Sequence, residues 1–394
     1  MKCEQLTIQA KLLTKLQEQQ FKELTLIQEK CIPQIIQGKD VVGQAETGSG
    51  KTLAFCLPIL NKIIPGRGLQ ALVLTPTREL CQQVTDVFRD FGKTLGIRTT
   101  SVYGGVSIGP QIHDIRTSDI VIGTPGRMLD HLRRGTIDLR NIQTLVLDET
   151  DKMFEMGFVE DVEDIIRHIP QQRQLLMFSA TISEDVHRLA RKHLQNPVII
   201  KTQSYVDHRK LKQIYYDIYE QNQKFSLLVH LLNRNTDGLS IVFCGTRRES
   251  DAVSKNLVRQ GIRASAIHGG MKQQKRSSSL DALKTQKTKV LVATDVAARG
   301  LDIKNVTHIY NYDVPKTPTE YVHRIGRTAR AGANGAAITL LTERDHDNFR
   351  RVQRNDEFDI ERADIPDFQK LPFMRRFEPS HHSFRGPPRH SFGR

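Results

Sequence analysis

Short apolar runs recur along the first half of the chain between polar or glycine-containing turns: Gly38 to Gly43, Leu69 to Leu74, Thr99 to Tyr103, Ile120 to Ile122, Thr144 to Leu147 and Leu175 to Phe178. Each reads as a strand, and helical stretches separate most of them. A second series follows the polar stretch Lys201 to Lys212: Gln213 to Tyr219, Leu239 to Phe243, Arg263 to Ile267, Lys289 to Ala293, Thr307 to Tyr310 and Ala336 to Leu341. Strands alternating with helices imply mostly parallel sheets covered by helices on both faces. The pattern therefore predicts two α/β domains, 1–200 and 213–355, joined by a linker at 201–212. Ahead of the first strand, Leu6 to Gln19 is helix-like, with Leu12, Leu13 and Leu16 on one face, and Phe21 to Gln28 reads as a loop entering a second helix. Beyond about residue 356 the periodicity fails, and 356–394 reads as a basic tail.

At 394 residues the chain is too long for one ordinary core, which agrees with two domains and a tail. The 58 Lys+Arg against 44 Asp+Glu leave a net charge of +14, favouring a polyanionic partner such as nucleic acid. In the tail, Arg375, Arg376, Arg385, Arg389 and Arg394 face the single Glu378 over the last 24 residues. Phe373, Phe377, Phe384 and Phe392 are interleaved among them, a composition suited to stacking bases and neutralising phosphates. The five cysteines are scattered and never spaced as CxxC, so neither a disulfide framework nor a zinc site is supported. The opening MKCEQLTIQA lacks an apolar signal core, and no run approaches the roughly 18 apolar residues of a membrane helix. No membrane partner and a cytoplasmic location are expected.

The sharpest chemical signal is AETGSGKT at 45–52, lying between the apolar pair Val41 and Val42 and the apolar run Leu53 to Leu60. Strand, glycine loop and helix is the context in which backbone N–H groups cradle phosphates at the positive end of a helix. Gly48 and Gly50 let the loop turn, Lys51 reaches the β and γ phosphates, and the Thr52 hydroxyl holds Mg²⁺. The usual pattern has glycine where this chain has Ala45. An acidic partner belongs at the carboxyl end of a strand, and Asp148-Glu149-Thr150-Asp151 supplies it directly after Leu147. Asp148 is the second candidate for Mg²⁺, and Glu149 is placed to orient and deprotonate an attacking water.

Taken in order, these motifs resemble those of a DEAD-box RNA helicase over roughly residues 3 to 350. They are Phe21 with Gln28, AETGSGKT, PTREL (76–80), Gly104-Gly105, TPGR (124–127), DETD (148–151), SAT (179–181), VFCGT (242–246), Gln273 with Arg276, ATDVAARGLD (293–302) and HRIGRTAR (323–330). The resemblance implies two RecA-like domains with ATP and RNA gripped between them. It implies an adenine clamp in which Phe21 stacks on the base and Gln28 reads its edge. The loop residues Ala45, Thr47, Gly48, Ser49, Gly50, Lys51 and Thr52 would bind the phosphates, and Asp302 the ribose. Leu24 replaces a usual proline and Cys3 an upstream aromatic, which bears on nucleotide affinity. RNA backbone contacts carry over to Pro76, Thr77, Arg78, Gly104, Gly105, Thr124, Pro125, Gly126 and Arg127, and in the second domain to Gly245, Thr246, Arg276 and Thr294. Arg327 and Arg330, three apart, resemble arginine fingers on one face of a helix start. Asp151, Ser179, Thr181 and His323 would couple the ATP and RNA faces, the two hydroxyls by bonding the Asp151 carboxylate. Thr150 stands where the family's name sequence has alanine, and a changed rate is expected. The resemblance further implies a monomer, with ribonucleoprotein or protein cofactors as further partners. Two other readings stay open: an RNA clamp or scaffold without productive unwinding, and a DNA-directed helicase.

Overall fold

The computed structural model describes residues 1–46, 48–202, 211–218, 220–235, 238–298, 303, 305–329, 334–354 and 358–375. Two sheets organise it. The first comprises Val41–Gln44 (β1), Ala71–Leu74 (β2), Thr99–Val102 (β3), Ile120–Gly123 (β4), Thr144–Leu147 (β5), Gln174–Ser179 (β6) and Val198–Lys201 (β7). Its order is β3-β4-β2-β5-β6-β1-β7, all pairs parallel. The second comprises Leu211–Asp217 (β8), Leu239–Phe243 (β9), Ala264–Ile267 (β10), Val290–Ala293 (β11), Val306–Asn311 (β12), Gly335–Leu341 (β13) and Glu361–Arg362 (β14). Its order is β10-β11-β9-β12-β13-β8-β14, again parallel throughout. The tandem parallel-sheet architecture is as predicted.

Alternation along each strand divides its side chains between two cores. In β2, Ala71 and Val73 join the cluster built with Leu12, Ile32, Phe55 and Phe88, whereas Leu72 and Leu74 join Met128, Val162 and Met177 on the opposite face. Burial on both faces is why these strands read as continuous apolar runs. Because every strand runs the same way, the carboxyl ends of each sheet share one edge, where ligands of open α/β sheets bind.

Two strands lie outside the predicted runs. β7 is an edge strand whose Ile199 is 55% exposed, and β14 is polar and held by a single neighbour, β8. They move two predicted boundaries. Lys201 belongs to β7 and Leu211 and Lys212 to β8, so the linker is shorter than 201–212, and 203–210 lie outside the described residues. Residues 358–375, expected in the tail, pack on the second domain. The Ala363 N–H donates to the Tyr215 carbonyl at 2.9 Å, the Phe373 ring sits 5.1 Å from Phe225, and Met374 and Asn256 exchange hydrogen bonds of 3.1 and 2.9 Å. The rest of the basic stretch, 376–394, lies outside the described residues. Among the described residues no helix is long and apolar enough to cross a membrane, and all five cysteines are buried, free thiols.

Candidate functional site

β1 delivers the chain into the glycine loop at the sheet edge, where the Ala45 N–H donates to the Ser179 carbonyl at the end of β6 (2.9 Å). Gly48 and Gly50 adopt φ of 90° and 93°, left-handed conformations that side chains rarely take, and Gly50 caps the helix Lys51–Lys62. A Cβ on Gly50 would overlap the amide of Gln28. That amide is buried and already engaged: its Oε1 accepts from the Thr25 N–H (3.0 Å) and its Nε2 donates to the Gly50 carbonyl (3.1 Å). Gln28 therefore braces the loop from the helix Leu26–Ile36. Phe21, 37% exposed, borders a cavity of about 710 Å³ with Lys2, Cys3, Glu4 and Leu13. Lys2 bridges to Glu23 in antiparallel fashion, so the N-terminal residues wall this cavity. Cys3 and Leu24, the two departures from the family pattern, are both buried, and Cys3 belongs to the cavity wall. Lys51 is buried, and its Nζ donates to the Ala45 carbonyl at 2.7 Å. Ser49 Oγ donates to the Glu46 carbonyl (2.7 Å), Thr52 is half-buried one residue into the helix, and Thr47 lies outside the described residues.

Across the edge, Asp148 follows β5, its N–H donating to the Leu74 carbonyl (2.9 Å) and its Oδ1 accepting from the Glu149 N–H (3.0 Å). Burial pushes its carboxyl up to about 7; Lys51 opposes this, while Glu149 and Asp151 add to it. Glu149 caps the helix Thr150–Glu155 with φ of 51°, a strained conformation for a side-chain-bearing residue. The Thr150 hydroxyl is fully buried and donates to the Leu147 and Phe178 carbonyls at 3.1 and 3.3 Å.

Asp151 turns the other way. Its Oδ2 accepts from the Thr181 N–H and hydroxyl, each at 3.0 Å, as expected for Thr181. Ser179 departs from expectation: its Oγ accepts from the Asp151 backbone N–H (3.2 Å) and donates to the Thr181 carbonyl (2.6 Å), without touching the carboxylate. Burial opposes ionisation of Asp151, yet Lys152, Lys51, His323 and the Thr181 N–H together hold it below the usual carboxylate range. Lys152 pairs with Glu155 at 2.9 Å and with His323 Nδ1 of the second domain, so the acidic motif and HRIGRTAR meet across the cleft.

A cavity of about 420 Å³ opens between the domains. Pro76, Thr77, Arg78, Gly104, Thr124, Gly126 and Arg127 line it from the first, and Arg276 with Gly269 from the second. Gly105, Pro125, Gly245, Thr246 and Thr294 are not in its wall. Gly105, at φ 80°, packs on the Arg78 guanidinium, which leaves no room for a Cβ. Pro125 starts the helix Pro125–Arg133. Thr77 and Thr246 spend their hydroxyls as N-caps, accepting from the Leu80 and Glu249 N–H groups. Sequence reading missed Glu79. It is buried and forms a 2.8 Å ion pair with Arg276 and a 3.2 Å hydrogen bond with Gln273, fastening PTREL to the second domain. Its place inside a motif was legible; its partner, 197 residues away, was not.

In the second domain the arginines are sorted by the end of a helix, not its start. Gly326 is the C-cap of Pro318–Ile325, so Arg327 lies beyond the helix, and the expected pairing with Arg330 on one helical face does not hold for it. Arg330 and Asp302 lie outside the described residues. Arg324 is committed within the domain, bonding Asp295 through two nitrogens (2.6 and 2.8 Å), Asn311 Oδ1 (3.1 Å) and the Asp313 carbonyl (2.6 Å). Arg327, buried, shares a pocket with Phe243, Asp295 and His323, its Nε donating to the His323 carbonyl at 3.3 Å.

Residues 25–189 match the DEAD/DEAH box helicase family, and residues 223–332 match the helicase conserved C-terminal domain. The chain is 43% identical over 349 residues to the DEAD-box ATP-dependent RNA helicase CshA of Geobacillus kaustophilus, covering 88% of this chain and 74% of that one. Its fold matches S. cerevisiae Dbp5 bound to RNA and ADP BeF3, with a TM-score of 0.85 at 30% identity over 92% of this chain and 95% of that one. Against a Dbp5 variant bound to Nup159, Gle1, IP6 and ADP the TM-score is 0.63 at 28% identity, over 90% and 95% of the two chains. Similarity of this extent, found independently of the geometry above, settles the family: the chain belongs to the DEAD-box ATP-dependent RNA helicases.

Proposed function

We propose that this RNA-dependent ATPase grips ATP and RNA in the cleft between its domains, separates RNA strands locally as the cleft closes, and reopens on hydrolysis. The observation that carries this reading is the pair of contacts across the cleft, Glu79 with Arg276 beside the 420 Å³ cavity and Lys152 with His323 beside the acidic motif. Closure therefore assembles both faces at once. In our reading Phe21 stacks on adenine, Gln28 steadies the phosphate loop while meeting the base, and Lys51 addresses the phosphates. Thr52 and Asp148 are the residues that would hold Mg²⁺; a hydroxyl and a carboxylate are the oxygen donors a hard cation takes, and Asp148, buried beside two further carboxyls, gains from a cation beyond Lys51. Bound there, Mg²⁺ would neutralise phosphate charge. Glu149 takes the proton of the water that attacks the γ-phosphorus as ADP leaves, and Arg327 neutralises the charge that builds on the phosphoryl group.

The cavity between PTREL, TPGR and Arg276 takes the RNA sugar-phosphate chain, independent of sequence. The basic stretch 376–394 adds further RNA affinity, and the protein acts as a cytoplasmic monomer with protein cofactors. The test is steady-state ATPase with no polymer, single-stranded RNA, duplex RNA and single-stranded DNA in parallel, with strand separation followed on the duplex. Stimulation by RNA well above DNA, accompanied by ATP-dependent strand release, supports the reading. Equal stimulation by DNA points to a DNA-directed enzyme, and stimulation without strand release to an RNA clamp.

A further inference from the structure

Gln111 has no place in the machinery described so far, yet it stands where two loops of the first-domain RNA cavity meet. It lies on the helix Ile108–Ile115 and is 6% exposed. Its Nε2 donates to the Tyr103 carbonyl (3.0 Å), immediately before Gly104-Gly105. Its Oε1 accepts from Arg127 Nη1 (3.3 Å), the arginine of TPGR. The same oxygen lies 3.2 Å from His131 Nε2. An amide oxygen only accepts, so that ring nitrogen carries the proton; Nδ1 lies 2.8 Å from Thr136 Oγ1, whose hydroxyl also reaches the His131 carbonyl at 3.1 Å. His131 is fully buried; burial and then Arg127 hold its pKa below the ordinary value, which keeps this neutral tautomer. Turning the amide over would set its NH₂ against two other donors. The Tyr103 carbonyl, which only accepts, and the Arg127 guanidinium, which only donates, thus fix which way Gln111 faces, and Gln111 presents a donor to one RNA loop and an acceptor to the other.

We propose that Gln111 is a positioning residue for RNA: it ties the Tyr103–Gly105 loop to Arg127 and so sets the guanidinium at the cavity wall. Arg127 also donates to the Val106 carbonyl (3.2 Å) from both terminal nitrogens and its Nε lies 3.8 Å from Asp130 Oδ2, so Gln111 is one of three holds on it. The role needs a side chain that donates and accepts at glutamine's length. Methionine fills the space without either function, and asparagine keeps the amide but is one methylene too short to span both partners.

This inference rests on reading that cavity as the RNA track, and the test separates the two. ATPase is measured against single-stranded RNA concentration for wild type, Gln111→Met, Gln111→Asn, Arg127→Ala and the double variant Gln111→Met/Arg127→Ala, with thermal unfolding and ADP affinity alongside. Gln111→Met should raise the RNA KM about tenfold, as for loss of a hydrogen bond to a charged group, with kcat at saturating RNA and ADP affinity held near wild type. The double variant should be no worse than Arg127→Ala alone. Should the methionine variant not fold, Gln111→Asn carries the test with a smaller rise in KM. An RNA KM unchanged in Gln111→Asn, or effects of Gln111 and Arg127 that multiply, would overturn the proposal while leaving the RNA track standing. An RNA KM unmoved by Arg127→Ala would overturn the track reading and this inference with it.

Discussion

The two domains are one fold used twice: adding seven to each strand number of the first order, 3-4-2-5-6-1-7, gives the second, 10-11-9-12-13-8-14. Their sheet edges correspond closely. In each, the helix after the first strand opens with a buried lysine, Lys51 or Lys224. In each, an aspartate follows the central strand, Asp148 after β5 and Asp313 after β12. What differs is how the charges are satisfied. Lys224 is fully buried, pairs with Asp345 at 3.1 Å and Asp313 at 3.7 Å, and lies 5.1 Å from the centre of the Tyr312 ring. Burial opposes ionisation of Asp313, but Lys224, a hydrogen bond with Glu249, the Gly245 N–H at 2.7 Å and Arg344 hold it below the usual range. Lys51 instead bonds a backbone carbonyl, and the Asp148 carboxyl is pushed up to about 7. The second domain spends its lysine on direct ion pairs, whereas the first bonds its lysine to a backbone carbonyl; each keeps one carboxyl that burial pushes up to about 7, Glu249 and Asp148. A phosphate site is therefore not a property of this fold. It requires glycines that bare the backbone and a lysine whose direct partner is a backbone carbonyl.

The largest expected effect tests whether the second domain, lacking a loop of its own, completes the first. Arg327→Ala should lower RNA-stimulated kcat by about 10³ to 10⁵ while ADP affinity stays near wild type, since ADP lacks the γ-phosphate. ATPase within tenfold of wild type would separate the domains functionally. Glu149→Gln comes next, with a loss of about 10² to 10⁴ in turnover and retention of ATP and RNA in a long-lived complex, read by dissociation of labelled RNA. Hydrolysis near the wild-type rate would remove Glu149 from its role.

The paired lysines sharpen the comparison most directly. Lys224→Met strands Asp345 and Asp313 in the interior and should cost about 3–5 kcal/mol in denaturant unfolding. Lys51→Met should abolish ATP turnover with a much smaller stability loss, because its partner is a neutral carbonyl. Equal stability losses at the two positions would mean that the first site is as closed as the second. The smallest effect belongs to Thr150→Ala. Its hydroxyl faces the Leu147 and Phe178 carbonyls, so ATPase should stay within about tenfold of wild type and stability should fall by about 1 kcal/mol. Abolished turnover would give Thr150 a chemical role that its contacts do not suggest.

The sequence by itself determined twelve of the fourteen strands, the tandem α/β architecture and the glycine loop after β1, because these rest on local physics. A strand buried on both faces must be apolar throughout, and a loop that bares its N–H groups must carry glycine at left-handed positions such as Gly48 and Gly50. β14 stayed hidden because its two residues, Glu361 and Arg362, are charged and only pairing with β8 makes them a strand, whereas β7 carries an apolar signal in Val198, Ile199 and Ile200 and was legible. Long-range pairing was equally silent. Glu79 with Arg276, Lys152 with His323, and the division of labour between Arg324 and Arg327 depend on which surfaces two separately folded sheets bring together. An arginine in a motif announces a charge; whether that charge is spent on Asp295, as for Arg324, or set against the His323 carbonyl, as for Arg327, is decided by where a helix ends, and Gly326 ends it between the two.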